Sequence, residues 1–169
     1  TRSTEINFNS SDANFPWQVS DPSLPYGLGA PFSWINWDDL NAVMYLSCTD
    51  RIWEVVKFQG RHQQNISQPY ASILNDRTLI TSPETAKAWG INFRGMPFYV
   101  LSFQNDGLTI VYNLSKDHWF RWGAWDGSNY ERAALINAYV YSRSFNKHLV
   151  GDRRPTGKIW EIGGTAEDS

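Results

Sequence analysis

The sequence predicts an all-β fold built from antiparallel, blade-like sheets. Nine Trp, eight Tyr and nine Phe occur among 169 residues, and aromatic residues favour strands. A second observation is a repeat. Ile-Trp-Glu followed by a β-branched residue stands at 52–55 and again at 159–162, each time after a charged turn. A recurring hairpin with a Trp at one position is typical of repeated blades. We therefore expect a partial β-propeller, with a β-sandwich as the alternative fold.

The beginning of the chain differs in composition from the rest. Residues 1–31 are rich in Ser, Asn, Asp and Gly, and four prolines interrupt them, namely Pro16, Pro22, Pro25 and Pro31. Proline removes a backbone donor and breaks regular structure. We expect an irregular N-terminal arm over residues 1–31, which aromatic side chains would hold against a neighbour. The propeller-like domain would then span residues 32–169.

The first strands of this domain are followed by a change in character. A strand is expected at 32–37, and a hairpin of strands at 42–48 and 51–58 turns at Thr49-Asp50. Between residues 59 and 90 we expect two short helical segments that cross from one sheet to the next. Their start signals are Ser67-Gln68-Pro69 and Ser82-Pro83-Glu84, and Gly90 is the expected end of the second.

Strands resume after Gly95. Three of them are expected to form an antiparallel meander at 97–103, 108–113 and 118–122. A hairpin of strands at 134–142 and 147–151 and a last strand around the second Ile-Trp-Glu complete the chain. A blade takes roughly 40–50 residues. The domain therefore has room for two to three blades, fewer than the four to eight or so that close a ring.

Composition and spacing exclude several functional classes. The formal net charge is -2 and the basic residues are scattered among acidic ones, so we expect no sequence-specific nucleic-acid binding. No run reaches the ~20 apolar residues of a membrane helix, so no membrane partner is expected. The lone cysteine, Cys48, lies in an apolar strand and is expected to be a buried small residue. His62, His118 and His148 lack metal-ligand spacing. We expect no metal, no cofactor and no catalytic residues.

The most prominent local cluster lies in HWFRWGAWDG, residues 118–127. Trp119, Trp122 and Trp125 recur every three residues, with Asp126 beside them. On a straight strand Trp119 and Trp122 would face opposite sides, and Gly123 is a place for a bend. One interpretation is an exposed patch of these four residues that stacks on sugars or anchors a partner protein. The other is that the indoles fill the space between adjacent sheets.

Three stretches of the chain resemble a phage protein family. They are AVMYLSCTDRIWEVVKFQGRHQQNIS at 42–67, GMPFYVLSFQNDGLTIVYNLSKDHWFRW at 95–122 and HLVGDRRPTGKIWEI at 148–162. Together they cover about 70 of the 169 residues and occur in the family's order. They are similar to the phage stabilisation proteins of short-tailed phages, also called packaged-DNA stabilisation or head-completion proteins. At Tyr112-Asn113 the family usually has Tyr-Asp, and family members are considerably longer.

The resemblance implies a function as well as a fold. Such proteins are propeller-like virion components that sit below the portal at the head–tail junction and help to retain the packaged genome. It therefore implies a non-enzymatic adaptor or plug in the virion, with portal or tail proteins as partners. The alternative is a carbohydrate-binding β module that uses the Trp cluster.

The expected number of blades has a consequence for assembly. The chain begins at Thr1 rather than Met, so we expect a fragment or a processed product. Two or three blades leave strand edges and an apolar face uncovered. We therefore expect packing against further blades of the same protein or against a second copy, through residues 1–31 and the edge at 158–162.

Overall fold

The structure is a computed structural model that describes residues 4–11, 14, 16–60, 62–125, 130–131, 136–152, 155 and 157–163. Strands dominate this part of the chain, which confirms the all-β fold class. The strands are β1 Thr4–Asn9, β2 Trp17–Leu24, β3 Ile35–Trp37, β4 Ala42–Thr49, β5 Ile52–Gln59, β6 His62–Asn65, β7 Lys87–Phe93, β8 Met96–Phe103, β9 Leu108–Asn113, β10 His118–Arg121, β11 Ala124–Trp125, β12 Tyr130–Glu131, β13 Ile136–Ser142, β14 Lys147–Asp152 and β15 Ile159–Glu161.

Among the described residues, helical structure is confined to short segments. The helix α1 covers Ala71–Asn75, and 3-10 turns cover Asp38–Leu40, Gln68–Tyr70 and Pro83–Thr85. The first expected helical segment is confirmed, since the turn at Gln68 leads directly into α1 and Leu74 is buried. The second is wrong beyond Thr85. Residues 87–90 belong to strand β7, because pairing with β8 and packing outweigh the local helix signals.

Two four-stranded sheets form the centre of the molecule. The first sheet has the order β3-β4-β5-β6 and the second the order β10-β9-β8-β7, and every neighbouring pair is antiparallel. The expected meander at 97–122 is confirmed. The expected hairpin at 42–58 is confirmed as well, but its turn is Asp50-Arg51 and not Thr49-Asp50, since Thr49 pairs with Ile52. The third sheet has the order β13-β14-β15. Two separate hairpins, β1-β2 and β11-β12, complete the described strands.

The three sheets stack in series, with the second sheet in the middle. On one of its faces, Tyr99 and Leu101 join a first core cluster with Leu46 and Val55 of the first sheet. On its other face, Val100 and neighbouring residues join a second core cluster with residues of the third sheet. Adjacent residues of β8 therefore point into different clusters, as strand geometry requires. A two-layer sandwich buries one face of each sheet, whereas this middle sheet buries both.

The first strands of neighbouring sheets lie close together. Phe32, just before β3, forms a parallel bridge with Lys87 at the start of β7. A Cβ atom added to Gly90 would lie 2.8 Å from Cγ2 of Ile35 and 3.0 Å from Cζ2 of Trp37. Gly90 is therefore present because β3 approaches β7 closely, not because a helix ends there. Serial stacking with neighbouring first strands is compatible with blades, and the propeller itself stays a prediction.

The N-terminal segment differs from the expected irregular arm. β1 and β2 pair as an antiparallel hairpin, with a register shift between Thr4 and Ile6. Pro22 lies inside β2, a position that proteins tolerate at sheet edges. Because the sheet has only two strands, both are edge strands. The expectation that residues 1–31 are irregular is therefore wrong for these two strands.

The Ile-Trp-Glu repeat does not place its tryptophans equivalently. Trp53 lies in the third strand of the first sheet and belongs to the first core cluster, on one side of the second sheet. Trp160 lies in the third strand of the third sheet and pairs with Val150, a member of the second core cluster on the opposite side. In a propeller, rotation from one blade to the next would place equivalent tryptophans on the same side of their own sheets. The two strings are therefore similar in strand position but not in orientation.

Candidate binding surfaces

Trp119 is part of the core and not of a surface patch. Its side chain is 5% exposed and packs in the first core cluster. The indole Nε1 donates a hydrogen bond to the carbonyl oxygen of Ile66 at 2.7 Å. Its ring lies 5.1 Å from that of Tyr112 and 5.7 Å from that of Tyr70. Its burial in this cluster supports the interpretation that the Trp119 indole fills the space between the sheets.

Trp122 packs against the second core cluster, on the side opposite to Trp119, as strand alternation predicts, and Trp125 belongs to neither core cluster. β10 ends at Arg121, and two residues, Trp122 and Gly123, separate it from β11, so the strand is interrupted at the glycine. Trp122 is half-buried and its ring packs 6.1 Å from that of Phe98, whereas Trp125 is 65% exposed. Asp126, the fourth residue of the expected patch, lies outside the described residues. The three tryptophans therefore differ in burial and do not form one exposed patch.

Trp122 and Trp125 line a cleft together with Trp160. We call this site, defined by these three residues, the tryptophan cleft. Its volume is ≈ 350 Å³, and Ile136 and Val150 line its floor. Trp160 Nε1 donates to Oδ2 of Asp152 at 2.9 Å, and Lys158 Nζ lies 5.4 Å from the Trp160 ring centroid. Sequence reasoning missed Trp160 as a site residue, although the repeated Ile-Trp-Glu string marked it.

The third sheet carries an uncovered apolar face on the side away from the second sheet. Ile159 is 71% exposed and Val140 is 57% exposed. With Ala138, Leu149 and Gly151 they line a groove of ≈ 250 Å³. The register of β14 with β15 places Glu161 on the same side, where its Oε2 forms an ion pair with Lys147 Nζ at 2.6 Å. An apolar centre with a charged rim is typical of a protein interface.

The metal-ligating and titratable side chains are a further feature of the described part of the chain. There, no group of three or more His, Cys, Asp or Glu side chains is placed to hold a metal ion. His62 and His118 are exposed, and Cys48 is a half-buried free thiol. The clearest pKa shifts belong to core tyrosines. Burial raises the pKa of Tyr112, and its hydrogen bond to the Asp117 carboxylate raises it further.

The described helices are all short. None of them is long and apolar enough to cross a membrane. The comparisons with known proteins complete these findings: no protein-family model matches the chain, and no curated protein is significantly similar to it.

Proposed function

We propose that this chain is a structural, non-enzymatic component of a phage virion. It would act as an adaptor or plug at the head–tail junction that helps to retain packaged DNA. The observation that carries the proposal joins sequence and fold. Each of the three stretches that resemble phage stabilisation proteins lies in a different sheet. The stretch 42–67 contains β4 to β6, 95–122 contains β8 to β10, and 148–162 contains β15 and all of β14 except its first residue.

The serial stacking of the sheets supports an assembly role. The second sheet is covered on both faces, because residues on each face belong to a core cluster. The third sheet has one such face, and its other face exposes Val140 and Ile159. Burial of large aliphatic side chains stabilises by about 1.5–3 kcal/mol each. This open face is where another sheet would pack, from further blades of the same protein or from a second copy.

Localisation in the particle is the direct test of the virion role. An epitope-tagged copy would be expressed during infection by the phage that encodes the chain, and purified virions would be imaged by electron microscopy with an antibody label. We expect label at the junction between head and tail, the site of the portal and tail proteins. Label that is absent from the particle would refute the proposal.

The contact surface has a separate test. Light scattering of the intact chain should show self-association that increases with concentration. Ile159→Lys should shift the protein towards the monomer, because a charge on the open face would be buried in the complex. The matched control is Ser144→Lys, which adds the same charge at an exposed turn. A monomer at every concentration, or equal effects of both variants, would contradict association through this face.

A second candidate function is glycan binding at the tryptophan cleft. The specific observation is that Trp122, Trp125 and Trp160 come from two separate parts of the sequence and line one cleft. Aromatic faces of this kind stack on sugar rings. A glycan array should show binding that Trp125→Ala abolishes, while Trp34→Ala, which removes another exposed indole, leaves it unchanged. Absence of binding to any glycan would remove this candidate and leave the adaptor as the stronger proposal.

A further inference from the structure

We propose that a cavity where the first strands of the three sheets meet binds an acidic monosaccharide, a sugar ring that carries a carboxylate or a phosphate. We call it the inner cavity, and its volume is ≈ 570 Å³, within the range of small-molecule sites. Trp37 of β3, Asn92 of β7 and Tyr139 of β13 belong to its wall. None of the three tryptophans of the tryptophan cleft lines it. The inference is independent of the adaptor role.

The cavity wall offers hydrogen-bond donors, and none of the described residues that line it has a carboxylate. Asn92 and Asn146 are exposed there, and each has an amide group that can donate. Oδ1 of Asn146 accepts the hydroxyl of Tyr141, which leaves the amide group of Asn146 to donate to a ligand. A wall of donors is complemented by a ligand that has several acceptor atoms, and an oxyanion provides them.

Arg94 provides the positive charge. It lies in the two-residue turn between β7 and β8, and its guanidinium carbon is 5.2 Å from the Phe93 ring centroid. This cation–π contact orients the planar group. Within the described part of the chain, no carboxylate forms an ion pair with Arg94. A guanidinium binds a carboxylate or phosphate through two parallel hydrogen bonds, so Arg94 is the expected anion contact.

His148 is held by aromatic rings and adds a further donor. Its ring centroid lies 4.9 Å from that of Tyr141 and 5.5 Å from that of Phe93. The Tyr139 hydroxyl is 2.8 Å from Nδ1 of His148. In the tautomer in which this hydroxyl donates to Nδ1, the imidazole has its proton on Nε2, which can then donate to a ligand.

The remaining wall suits a sugar ring. Trp37 and Tyr141 present aromatic rings, whose negatively polarised faces attract the weakly positive C–H groups of a pyranose. The amide of Asn92 both donates and accepts, as hydroxyl groups require. Gly90 allows the Trp37 ring to pack closely against β7, because a Cβ atom there would meet this ring at 3.0 Å. Together with Arg94, these groups match a ring that has hydroxyls and one anionic substituent.

Titrations monitored by amide NMR spectra test the site. The probes are glucuronate, glucose 6-phosphate, glucose and inorganic phosphate. We expect at least one acidic sugar to shift the amide signals of Arg94, Tyr141 and His148, and to bind at least tenfold more tightly than glucose or phosphate alone. Which acidic sugar binds identifies the anion. Absence of these shifts with both acidic sugars, or equal binding of inorganic phosphate, would overturn the inference.

Two variants separate the anion contact from the ring contact. Arg94→Gln should weaken binding of the acidic sugar at least tenfold, because it removes the charge from an exposed turn residue. Arg121→Gln is the matched control, since Arg121 is exposed on β10, at the opposite edge of the second sheet. Tyr141→Ala, also at an exposed position, should weaken every sugar. Unchanged affinity in Arg94→Gln, with the fold verified by its NMR spectrum, would refute the assignment.

Discussion

The indole of Trp119 couples the second sheet to the segment that leaves the first. Its hydrogen bond ends on the carbonyl of Ile66, one residue after β6, in an environment from which water is nearly excluded. A buried carbonyl that loses its donor costs about 1–3 kcal/mol. Trp125, six residues later, contributes little of this kind because it is 65% exposed. Trp119 and Trp125 therefore have different roles, because one is buried and the other is exposed.

This contrast gives a prediction for stability. Trp119→Phe should lower the free energy of unfolding by about 1–3 kcal/mol. Phe lacks the N–H group from which the carbonyl oxygen of Ile66 accepts its hydrogen bond. Trp125→Phe, the matched control, should change it by less than about 0.5 kcal/mol. Urea denaturation followed by circular dichroism measures both values. Similar effects of the two substitutions would show that Trp119 does not carry the interior hydrogen bond.

The buried tyrosines predict a loss of stability in alkali. Burial raises the pKa of Tyr99 and Tyr112 above the value of 10.0 that an exposed tyrosine has. Above about pH 10 the unfolded chain releases phenolic protons that the folded chain keeps. The folded state then binds more protons, so the free energy of unfolding falls as the pH rises. Below pH 10 the contribution of these neutral tyrosines to the free energy of unfolding is fully present.

Urea denaturation at pH 8 and at pH 11 tests this dependence. Tyr99→Phe should flatten the alkaline decrease, since Phe has no proton to lose. The same variant should be less stable at pH 8, because the Tyr99 hydroxyl donates to the buried carbonyl oxygen of Ser33 at 2.6 Å. An alkaline decrease that is identical in both proteins would mean that Tyr99 does not contribute to it.

At the scale of elements, the hairpin turns of β4–β5 and β8–β9 could be predicted from the sequence to within one residue. Asp106-Gly107 ends the turn between β8 and β9, where Gly107 has a φ of 63°. Asp50 and Arg51 join β4 to β5 with φ values of 50° and 69°. Both lie in the left-handed region that two-residue hairpin turns require. The hairpin was predictable because the flanking strands are apolar and the turn is polar, even though Arg51 is unusual there.

The β4–β5 turn can be improved by glycine. Arg51→Gly should raise the free energy of unfolding by about 0.5–1 kcal/mol, because glycine adopts a positive φ without steric cost. The equivalent turn between β7 and β8 already has glycine at its second position, Gly95, with a φ of 76°. The reciprocal control, Gly95→Ala, should be destabilising. Thermal denaturation measures both, and a destabilising Arg51→Gly would contradict the conformational explanation.

Elements were mispredicted where distant contacts outweigh local signals. β7 follows a Ser-Pro-Glu helix start, yet it is a strand because one of its edges pairs with β8 and its residues join both core clusters. β6, with the sequence HQQN, has no apolar alternation. Its Gln63 is nevertheless held by the Tyr45 hydroxyl at 2.6 Å. Such pairings depend on residues far along the chain and cannot be read from a local window.

For the whole molecule, the strand content can be predicted from the sequence. Which face of each sheet packs against which neighbouring sheet cannot be predicted in this way. The runs of β8 and β9 are apolar at nearly every position, which is typical of strands covered on both sides. Which sheet covers which side follows only from the structure. The inner cavity was unpredictable for the same reason, since Trp37, Arg94 and His148 are far apart in sequence and meet through the stacking of three sheets.

The stacking predicts how the molecule opens. The middle sheet can lose its core contacts only if both neighbours separate from it, whereas the third sheet has contacts on one face. Amide protons of Val100, Leu101, Ile110 and Val111 should therefore exchange last, with an opening free energy equal to that of global unfolding. Amide protons of β14 and β15 should exchange through smaller openings. Native-state hydrogen exchange monitored by NMR measures both groups.

Two neighbouring substitutions test whether the stack unfolds as one unit. Leu101→Ala removes contacts from the first core cluster and should cost about 2–5 kcal/mol of the global free energy of unfolding. Val100→Ala removes fewer atoms, and it acts on the second core cluster. Since both residues belong to β8, each variant should lower the protection of the middle sheet's amide protons against hydrogen exchange. If Val100→Ala lowered protection in β14 and β15 alone, the third sheet would be an independent unit, and the serial stack would not be one cooperative structure.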